Sequence, residues 1–332
     1  MKIYLTFDYE LYFGAHTGTA ERCMVSPTAM LSEMAEKYGI RLCQFVDVGY
    51  LIALDRHRRQ FNQLERDYSM VCRQLDHLYA RGHDLQLHIH PHWEDSHYDG
   101  EKWICDVRRY RLADFDDAGI ADIVHRYHAR LEQFTGTGEV FAYRAGGWCI
   151  EPFQRLKPAL RQAGIRVDSS VFANGHYQSS IYQYDFRGAP NLSRWTFEDD
   201  PMQPTKDGGF TELPIGSIRN SPLFYWRLFL LGRMRPYHHK PLGDGQPVPA
   251  PGQRRALLSR YTHNTVSVDG YNARLLNRAR KQHQLQDKEE LVVIGHPKAL
   301  SRYGLRELEA FISQHRQHDH FTTFRAEKNS FL

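Results

Sequence analysis

The sequence is poor in cysteine, and the few cysteines are not paired. Of 332 residues, 5 are Cys; they lie far apart, are odd in number and form no Cys-x-x-Cys motif. Disulfide frameworks and structural zinc sites both depend on paired or closely spaced cysteines. We therefore expect neither a disulfide-stabilised scaffold nor a structural zinc site. The cysteines are Cys23, Cys43, Cys72, Cys105 and Cys149.

Several other signals are missing as well. No apolar run approaches the roughly 20 residues that span a bilayer, and the chain opens without the apolar stretch of a secretory signal. The densest basic run, residues 56–59, has no interleaved aromatic residues, so no nucleic-acid partner is expected. No predicted strand leads into a glycine-rich phosphate loop, so no nucleotide-binding site is expected. The expectation is a cytoplasmic enzyme or binding protein.

The residues that are present describe a folded α/β protein. Hydrophobic residues make up 41% of the chain and charged residues 25%, which allows a sizeable core in one large domain or two smaller ones. Along residues 1–170, short apolar segments alternate with amphipathic helical patterns, and polar residues follow where the apolar segments end. This order predicts a parallel sheet, closed or open, with its site at the carboxyl ends of the strands.

The regular alternation breaks down between residues 174 and 289. Inside this segment, residues 210–215 are predicted as one strand, and the Pro- and Gly-rich residues 236–251 as a surface loop. Residues 223–231 (LFYWRLFLL) are apolar and aromatic but too short to span a bilayer. They predict a lid, an interfacial helix that contacts a membrane or a lipid-linked substrate, or a plain core helix.

A histidine-rich stretch, residues 82–93 (GHDLQLHIHPHW), is the strongest signal of chemistry. Neutral imidazole is the commonest metal ligand, and packing alone does not explain such density. If the strand continues, His88, His90 and His92 share one face. If the chain bends at Pro91, His88 and His92 converge instead. Either arrangement leaves open positions on a catalytic metal, which typically has about three protein ligands.

Two other strand ends carry candidate residues. Asp8 and Glu10 follow the first predicted strand, residues 2–7, and point the same way on an extended backbone. This pair suggests a base and a metal ligand, with a solvated turn as the alternative. A second buried strand near the end of the chain, residues 291–295, places His296 at its carboxyl end.

Five motifs in this order resemble those of the polysaccharide deacetylases, carbohydrate esterase family 4, which share the NodB homology domain. The motifs are Leu5-Thr6-Phe7-Asp8, Gly82-His83 with His88 and His92, Arg144 to Gly147, Asp168, and Ile294-Gly295-His296. They cover most of residues 1–300 apart from the long insert, and the nearest branch is the divergent one associated with lipopolysaccharide and O-antigen biosynthesis. The resemblance implies a distorted (β/α) barrel of about seven parallel strands. It forms a single domain over residues 1–332, with residues 174–289 as an insertion or lid.

The first motif departs from the family pattern at one position. By the resemblance, Asp8 is the catalytic base. The aspartate that normally follows it as a metal ligand is replaced by Tyr9. Glu10 is the natural substitute, because other divergent members use an acid two positions on.

The second motif matches in spacing and implies His88 and His92 as the remaining metal ligands. His90 has no counterpart role in the family. With Glu10, these residues would hold one divalent metal, for which Zn²⁺ is the expected ion.

The later motifs supply the groups around the reacting bond. By the resemblance, Arg144 orients the base, the Gly147 N–H serves the oxyanion hole and His296 is the general acid. Asp168 matches the acid of the fourth motif, which supports the base and the acid, although Val171 replaces the tryptophan that is usual there.

The implied activity is hydrolysis of an acetyl or formyl amide on an amino sugar used in cell-surface polysaccharide synthesis. The lack of an export signal favours a small or lipid-linked precursor as substrate. An alternative enzyme class is the amidohydrolase-type barrel, in which His88 and His90 would be a pair of metal ligands. The sequence does not contain the early His-x-His motif and the downstream lysine expected for that class. A hypothesis from outside the enzymes is a metal-free, catalytically inactive relative that binds carbohydrate. It is motivated by Tyr9, which stands where the family has a metal ligand.

Overall fold

A curled, mainly parallel sheet lies at the centre of the computed structural model, which describes residues 1–234, 236–248 and 253–331. The strands of the fold are β1 (Lys2–Tyr9), β2 (Cys43–Asp47), β3 (Asp84–Ile89), β4 (His97–Tyr98), β5 (Trp103–Ile104), β6 (Ala142–Ala145), β7 (Val167–Asp168), β8 (His176–Gln178), β9 (Gln183–Asp185), β10 (Trp195–Phe197), β11 (Phe210–Glu212), β12 (Ser217–Asn220), β13 (Thr262–Thr265), β14 (Glu290–Gly295) and β15 (His320–Thr322). The central sheet has the order β10-β11-β7-β6-β3-β2-β1-β14, and β15 also pairs with β1. The β10–β11 pair is antiparallel and the other pairs of this sheet are parallel.

The two ends of the sheet meet through the residues that follow β11. Ile215 forms a parallel bridge with Val292 of β14, and β14 pairs with β1. The closed sheet therefore contains seven parallel strands, namely β1, β2, β3, β6, β7, β11 and β14. This confirms the prediction of a distorted (β/α) barrel of about seven parallel strands. One of these strands, β11, lies inside residues 174–289, so that segment also contributes to the barrel.

Helices cover the outside of the barrel. They are α1 (Ser26–Lys37), α2 (Val48–His57), α3 (Asn62–Ala80), α4 (Asp117–Thr135), α5 (Phe153–Gln162), α6 (Pro222–Met234), α7 (Pro236–His239), α8 (Gln253–Ser259), α9 (Leu276–Leu285) and α10 (Arg302–His315). In α3 the side chains of Leu64, Val71, Leu75 and Leu78 are buried on one face, as their spacing predicts. Burial of each such side chain contributes about 1.5–3 kcal/mol to folding.

Helix α2 was not predicted from the sequence. It begins at Val48, directly after β2 ends at Asp47, and six of its ten residues are buried. Because its apolar residues do not keep to one stripe, the 3.6-residue period that identifies a helix is weak here.

The register of the parallel strands brings the predicted site residues to one end of the barrel. Phe7 pairs with Gly295, so the residues after β1 and β14 emerge side by side. His88 at the end of β3 pairs with Arg144 of β6, and Tyr143 pairs with Asp168. Residues far apart in the chain are thus neighbours at the carboxyl ends of the strands.

The segment from 174 to 289 contains the hairpin β8–β9, the antiparallel pair β12–β13 and the helices α6 to α9. Residues 223–231 lie within α6, and the predicted loop at 236–251 contains the short helix α7, while residues 249–251 lie outside the described residues. Among the helices of the described ranges, none has the length and apolar character required to cross a membrane.

Candidate active site

Three buried side chains at the carboxyl ends of β1 and β3 form the candidate metal centre: Glu10, His88 and His90. Their ligand atoms all lie within 4.8 Å of one another. Glu10 Oε2 is 2.5 Å from Nε2 of His90 and 3.4 Å from Nε2 of His88. One carboxylate and two imidazoles form a donor set that suits a catalytic zinc-type metal and leaves a coordination position open.

The orientation of His88 is fixed by the backbone of the neighbouring strand. Its Nδ1 donates to the Arg144 carbonyl oxygen at 2.8 Å, which turns Nε2 toward Glu10. Burial lowers the pKa of His88, but the nearby carboxylates of Asp8 and Glu10 outweigh burial, and the pKa is raised. The same negative field favours a metal cation at this place.

The structure places His90, rather than the expected His92, in this group. His90 still has an extended backbone (φ −108°, ψ 92°), so its side chain continues the face of His88. A 3-10 turn, Pro91–Glu94, then carries His92 away. The His92 ring stacks on Tyr110 with 5.8 Å between centroids and is not among the described residues that line the cavity. Both geometric alternatives considered for the sequence differ from this arrangement.

His92 is buried and electrically neutral. Burial and the neighbouring His90 lower its pKa well below the usual value. Neither of its ring nitrogens has a hydrogen-bond partner within the described part of the chain.

The two glycines after β6 make room for aromatic rings of the site. A Cβ on Gly146 would lie 2.7 Å from Nδ1 of His90, and a Cβ on Gly147 would lie 2.8 Å from a ring carbon of Tyr110. Gly147 also has φ +58°, in the left-handed region that favours glycine. Its backbone lines the cavity, as its predicted role at the oxyanion requires.

Lys298 is a member of the site that sequence reasoning missed. It is 6% exposed, and its Nζ donates to Glu10 Oε1 at 2.9 Å and to the Leu11 carbonyl oxygen at 2.7 Å. Burial raises the pKa of Glu10, but Lys298 and His90 outweigh it and hold that pKa well below the usual value. The Glu10 carboxylate is therefore ionised, with Oε1 bound by Lys298 and Oε2 facing the histidines.

Asp8 is held by the buried Arg144. The Arg144 Nη1 donates to Asp8 Oδ1 at 2.7 Å. Two further N–H groups of the guanidinium donate to Ser169, through Nε to its carbonyl oxygen at 2.8 Å and through Nη2 to Oγ at 3.1 Å. Arg144 is fully buried and lies over the Phe45 ring at 4.0 Å. One oxygen of Asp8, Oδ2, stays directed toward His296 at 3.5 Å.

His296 is held by Asp269, an acid that the sequence analysis did not identify. The His296 Nδ1 donates to Asp269 Oδ2 at 2.7 Å, and its backbone N–H donates to Asp269 Oδ1 at 2.8 Å. Burial lowers the pKa of His296, but the carboxylates of Asp269, Asp8 and Glu10 outweigh burial and raise it to about 9. The imidazole is therefore protonated at neutral pH.

Asp168 does not take the supporting position beside His296. Its Oδ1 accepts from the Ser170 hydroxyl at 2.7 Å and its Oδ2 accepts from the Ser170 N–H at 3.0 Å. Burial raises its pKa, as burial and Asp168 itself raise that of the neighbouring Glu212. Asp168 lies on β7, next to β6 in the sheet, and its register partner is Tyr143, the residue before Arg144.

A cavity of about 840 Å³ opens above these groups. Asp8, Glu10, His88, His90 and His296 lie at its base. Aromatic side chains from the loops and from the hairpin β8–β9 form much of its wall, namely Tyr12, Phe13, Tyr110, Trp148, Tyr177, Tyr182 and Tyr184. Such rings bury large area while their hydroxyl and N–H groups can still form hydrogen bonds. The cavity can therefore accept a bulky ligand with both polar and apolar faces.

Comparisons with known proteins place the fold. No family model and no curated protein sequence matches the chain. Among solved structures, a protein from Mycobacterium smegmatis assigned as a polysaccharide deacetylase superposes with a TM-score of 0.54 at 14% identity, over 99% of this chain and 89% of that one. The Xyl-CE4 domain of a multidomain xylanase from the hindgut metagenome of Trinervitermes trinervoides has a TM-score of 0.27 at 14% identity, over 49% of this chain and 53% of that one, which is too low to support an argument. The chain has the NodB-like (β/α)-barrel fold of the polysaccharide deacetylases.

Proposed function

We propose that the chain is a metal-dependent hydrolase of the polysaccharide deacetylase family that removes an N-acyl group, acetyl or formyl, from an amino sugar. One observation carries the proposal. A metal-type donor set, a carboxylate held by a buried arginine and a histidine held by an aspartate all face the same cavity. Metal-assisted hydrolysis of an amide uses a metal site, a general base and a general acid, and these groups can supply all three.

The donor set fits a divalent metal, for which Zn²⁺ is the expected ion. Glu10, His88 and His90 would hold it, because Glu10 Oε2 lies 3.4 Å from Nε2 of His88 and 2.5 Å from Nε2 of His90, within one cluster of buried ligand atoms. The backbone carbonyl that fixes His88 through Nδ1 is a common support for a ligating histidine. A metal bound there supplies Lewis acidity to the amide carbonyl and to the attacking water.

The residues of the chain perform the proton transfers. Asp8 accepts a proton from the attacking water on Oδ2, since Oδ1 is occupied by Arg144. The Gly147 N–H donates to the oxygen on which negative charge develops. The His296 imidazolium then gives its Nε2 proton to the departing amine, and Asp269 stabilises the charged ring through Nδ1.

The aromatic cavity supports an amino sugar as substrate. The segment from 174 to 289 contributes the hairpin β8–β9 and part of α8 to the wall, which is consistent with its proposed role as a lid. We propose a small or lipid-linked precursor of a cell-surface polysaccharide, of the lipopolysaccharide and O-antigen type, processed in the cytoplasm. The first strand followed by Asp8-Tyr9-Glu10-Leu11, which resembles the opening of members of this branch, supports the proposal.

The test is direct. The metal content of the purified protein is measured by mass spectrometry, and release of acetate or formate from N-acetyl and N-formyl amino sugars is followed with the matching appearance of free amine. We expect about one metal per chain and loss of both metal and product in His88→Ala. Protein that is folded but contains no stoichiometric metal would reject the hydrolase proposal.

A second candidate is a metal-free carbohydrate-binding protein. The observation that favours it is the Lys298 ammonium, which already provides a positive charge at Glu10 Oε1. In this case the same protein would bind amino sugars without turnover, and Asp8→Asn would leave binding unchanged.

The assignment of the third metal ligand can be tested with two histidines of the same stretch. Because His90 faces Glu10 in the cavity and His92 packs on Tyr110, we expect His90→Ala to reduce metal occupancy severely and His92→Ala to retain most of it. Metal content after removal with a chelator and reloading, with circular dichroism to check folding, provides the comparison. The reverse result would restore the spacing-based pair of His88 and His92.

Asp269→Asn tests the general acid through pH dependence. The protonated form of His296 is the active one, so kcat/KM should fall as pH rises through about 9. Removal of the Asp269 charge lowers the pKa of His296 and moves this alkaline limb to lower pH, by about 1–3 pH units. A kcat/KM profile from pH 5 to 10 measures the shift. Asp185→Asn, an exposed carboxylate outside this pair, is the control and should leave the limb in place.

A further inference from the structure

Helix α6 and the short α7 expose a line of large apolar side chains, which we call the α6 stripe. Its members on α6 follow the spacing i, i+3, i+7 and i+11, which puts them on one face of the helix. The exposed fractions are Leu223 58%, Trp226 51%, Leu230 56%, Met234 76% and, on α7, Tyr237 65%. A contiguous apolar surface of this kind marks an interaction site.

The opposite face of α6 is firmly packed. Tyr225 is 5% exposed and its hydroxyl is 2.9 Å from Thr262 Oγ1. The Phe224 ring stacks on Tyr271 with 5.4 Å between centroids. Because one face is anchored in the protein, the α6 stripe is held outward by the fold.

Positive charge is concentrated in the same part of the chain. Between Glu212 and Asp269 the sequence has eight Lys and Arg residues and one acid, Asp244, a formal charge of +7. The whole chain carries +4, so the remainder carries −3. Among the basic residues of this segment whose side chains the structure describes, those that are exposed are Arg219, Arg227, Arg233, Lys240, Arg255 and Arg260.

Two of these cations flank the apolar surface directly. Arg227 lies three or four residues from Leu223 and Leu230, and Arg233 lies three residues from Leu230 on the same helix. An apolar face that includes tryptophan, bordered by arginine, is typical of helices that lie in the plane of a membrane surface. With 13 residues, α6 is too short to span a bilayer.

We propose that the α6 stripe and its basic border dock on the surface of an anionic lipid bilayer. The apolar side chains enter the boundary between head groups and acyl chains, and the arginines pair with anionic head groups. Charge selects this occupant over a second copy of the chain. Two copies that met through the α6 stripe would bring Arg227 and Arg233 of both partners together, and these like charges would repel.

The docking surface is continuous with the catalytic cavity. The Trp226 indole N–H donates to the Leu258 carbonyl oxygen of α8 at 3.3 Å, and the preceding residues Ala256 and Leu257 line the cavity. Docking would therefore bring the cavity wall to the membrane. That consequence rests on the proposed function and favours a lipid-linked substrate, whereas the docking itself does not depend on activity.

Vesicle flotation of the full chain tests the proposal without any substrate. We expect the protein to float with vesicles of phosphatidylcholine and phosphatidylglycerol, to bind much less to phosphatidylcholine alone, and to be released as salt increases. Replacement of both flanking cations (Arg227→Gln with Arg233→Gln) should weaken binding about fivefold for each arginine. Leu230→Ser should weaken it about tenfold.

A matched control is available on another helix. Leu285 on α9 is 75% exposed, so Leu285→Ser removes a similar exposed side chain outside the α6 stripe and should leave vesicle binding unchanged. Absence of flotation at low salt, or equal binding by all variants, would overturn the proposal. So would concentration-dependent dimerisation that Leu230→Ser abolishes, since the occupant would then be a second copy. A failure to hydrolyse amino sugars would leave the vesicle result intact.

Discussion

Asp8→Asn should lower kcat by about 10²–10⁴-fold while the protein keeps its metal. The asparagine oxygen can still accept the hydrogen bond from Arg144, so the position of the side chain is retained. What is lost is the ability of Oδ2 to take a proton from water. Turnover of an N-acyl amino sugar and metal content, measured on the same preparation, are the two readouts.

Glu10→Ala is the matched variant two residues along the same strand end. It removes the carboxylate whose Oε2 lies beside both histidines, so metal occupancy should fall first and activity with it. Excess metal in the assay should restore part of the activity of Glu10→Ala and none of that of Asp8→Asn. The opposite pattern would mean that Asp8 is the ligand and Glu10 the base.

The fold was largely predictable because its strands are buried on both faces. β1 and β14 are mainly apolar and can be recognised without alternation. The polar residue Asp8 lies near the end of β1, and His296 follows the end of β14. The closure of the sheet was given only by the resemblance to a known family. It depends on a single bridge between Ile215 and Val292, and no local pattern encodes such a contact.

The residues of the site were predictable where a strand delivers them. Asp8, His88, Arg144 and His296 all lie at or just after the carboxyl ends of strands, and the structure brings them together. Asp269 follows only Val266-Ser267-Val268, a short alternating segment in an irregular region, although the signal of an apolar segment that ends in an acid was present. It reaches His296 because Ser267 bridges Ile294.

The direction of a turn was the part that the sequence did not encode. Whether His90 or His92 faces Glu10 depends on how one 3-10 turn begins at Pro91. The position of Lys298 also depends on the shape of a turn. Lys298 lies in the turn after His296, and its long side chain reaches Glu10 across the end of the barrel. Spacing rules taken from a family predict such positions only if the turn has the same shape.

Arg144→Met should destabilise the protein by about 3–5 kcal/mol, which is a large part of the stability of a typical domain. The guanidinium is fully buried and donates to Asp8 and to Ser169. Its removal leaves the Asp8 carboxylate, 3% exposed, without its partner. Urea unfolding followed by circular dichroism measures the loss. Arg187→Met, which breaks an exposed pair with Asp185, should leave the unfolding midpoint nearly unchanged.

The double variant Asp8→Asn with Arg144→Met separates the loss of the charge pair from the loss of packing. With neither charge present, no ion is left unpaired in the barrel, so the double variant should lose less stability than the two single variants added together. A coupling of at least 1 kcal/mol is expected for groups in direct contact. Strict additivity would show that Arg144 acts mainly through its stacking on Phe45 and its bonds to Ser169, and that Asp8 is held by other groups.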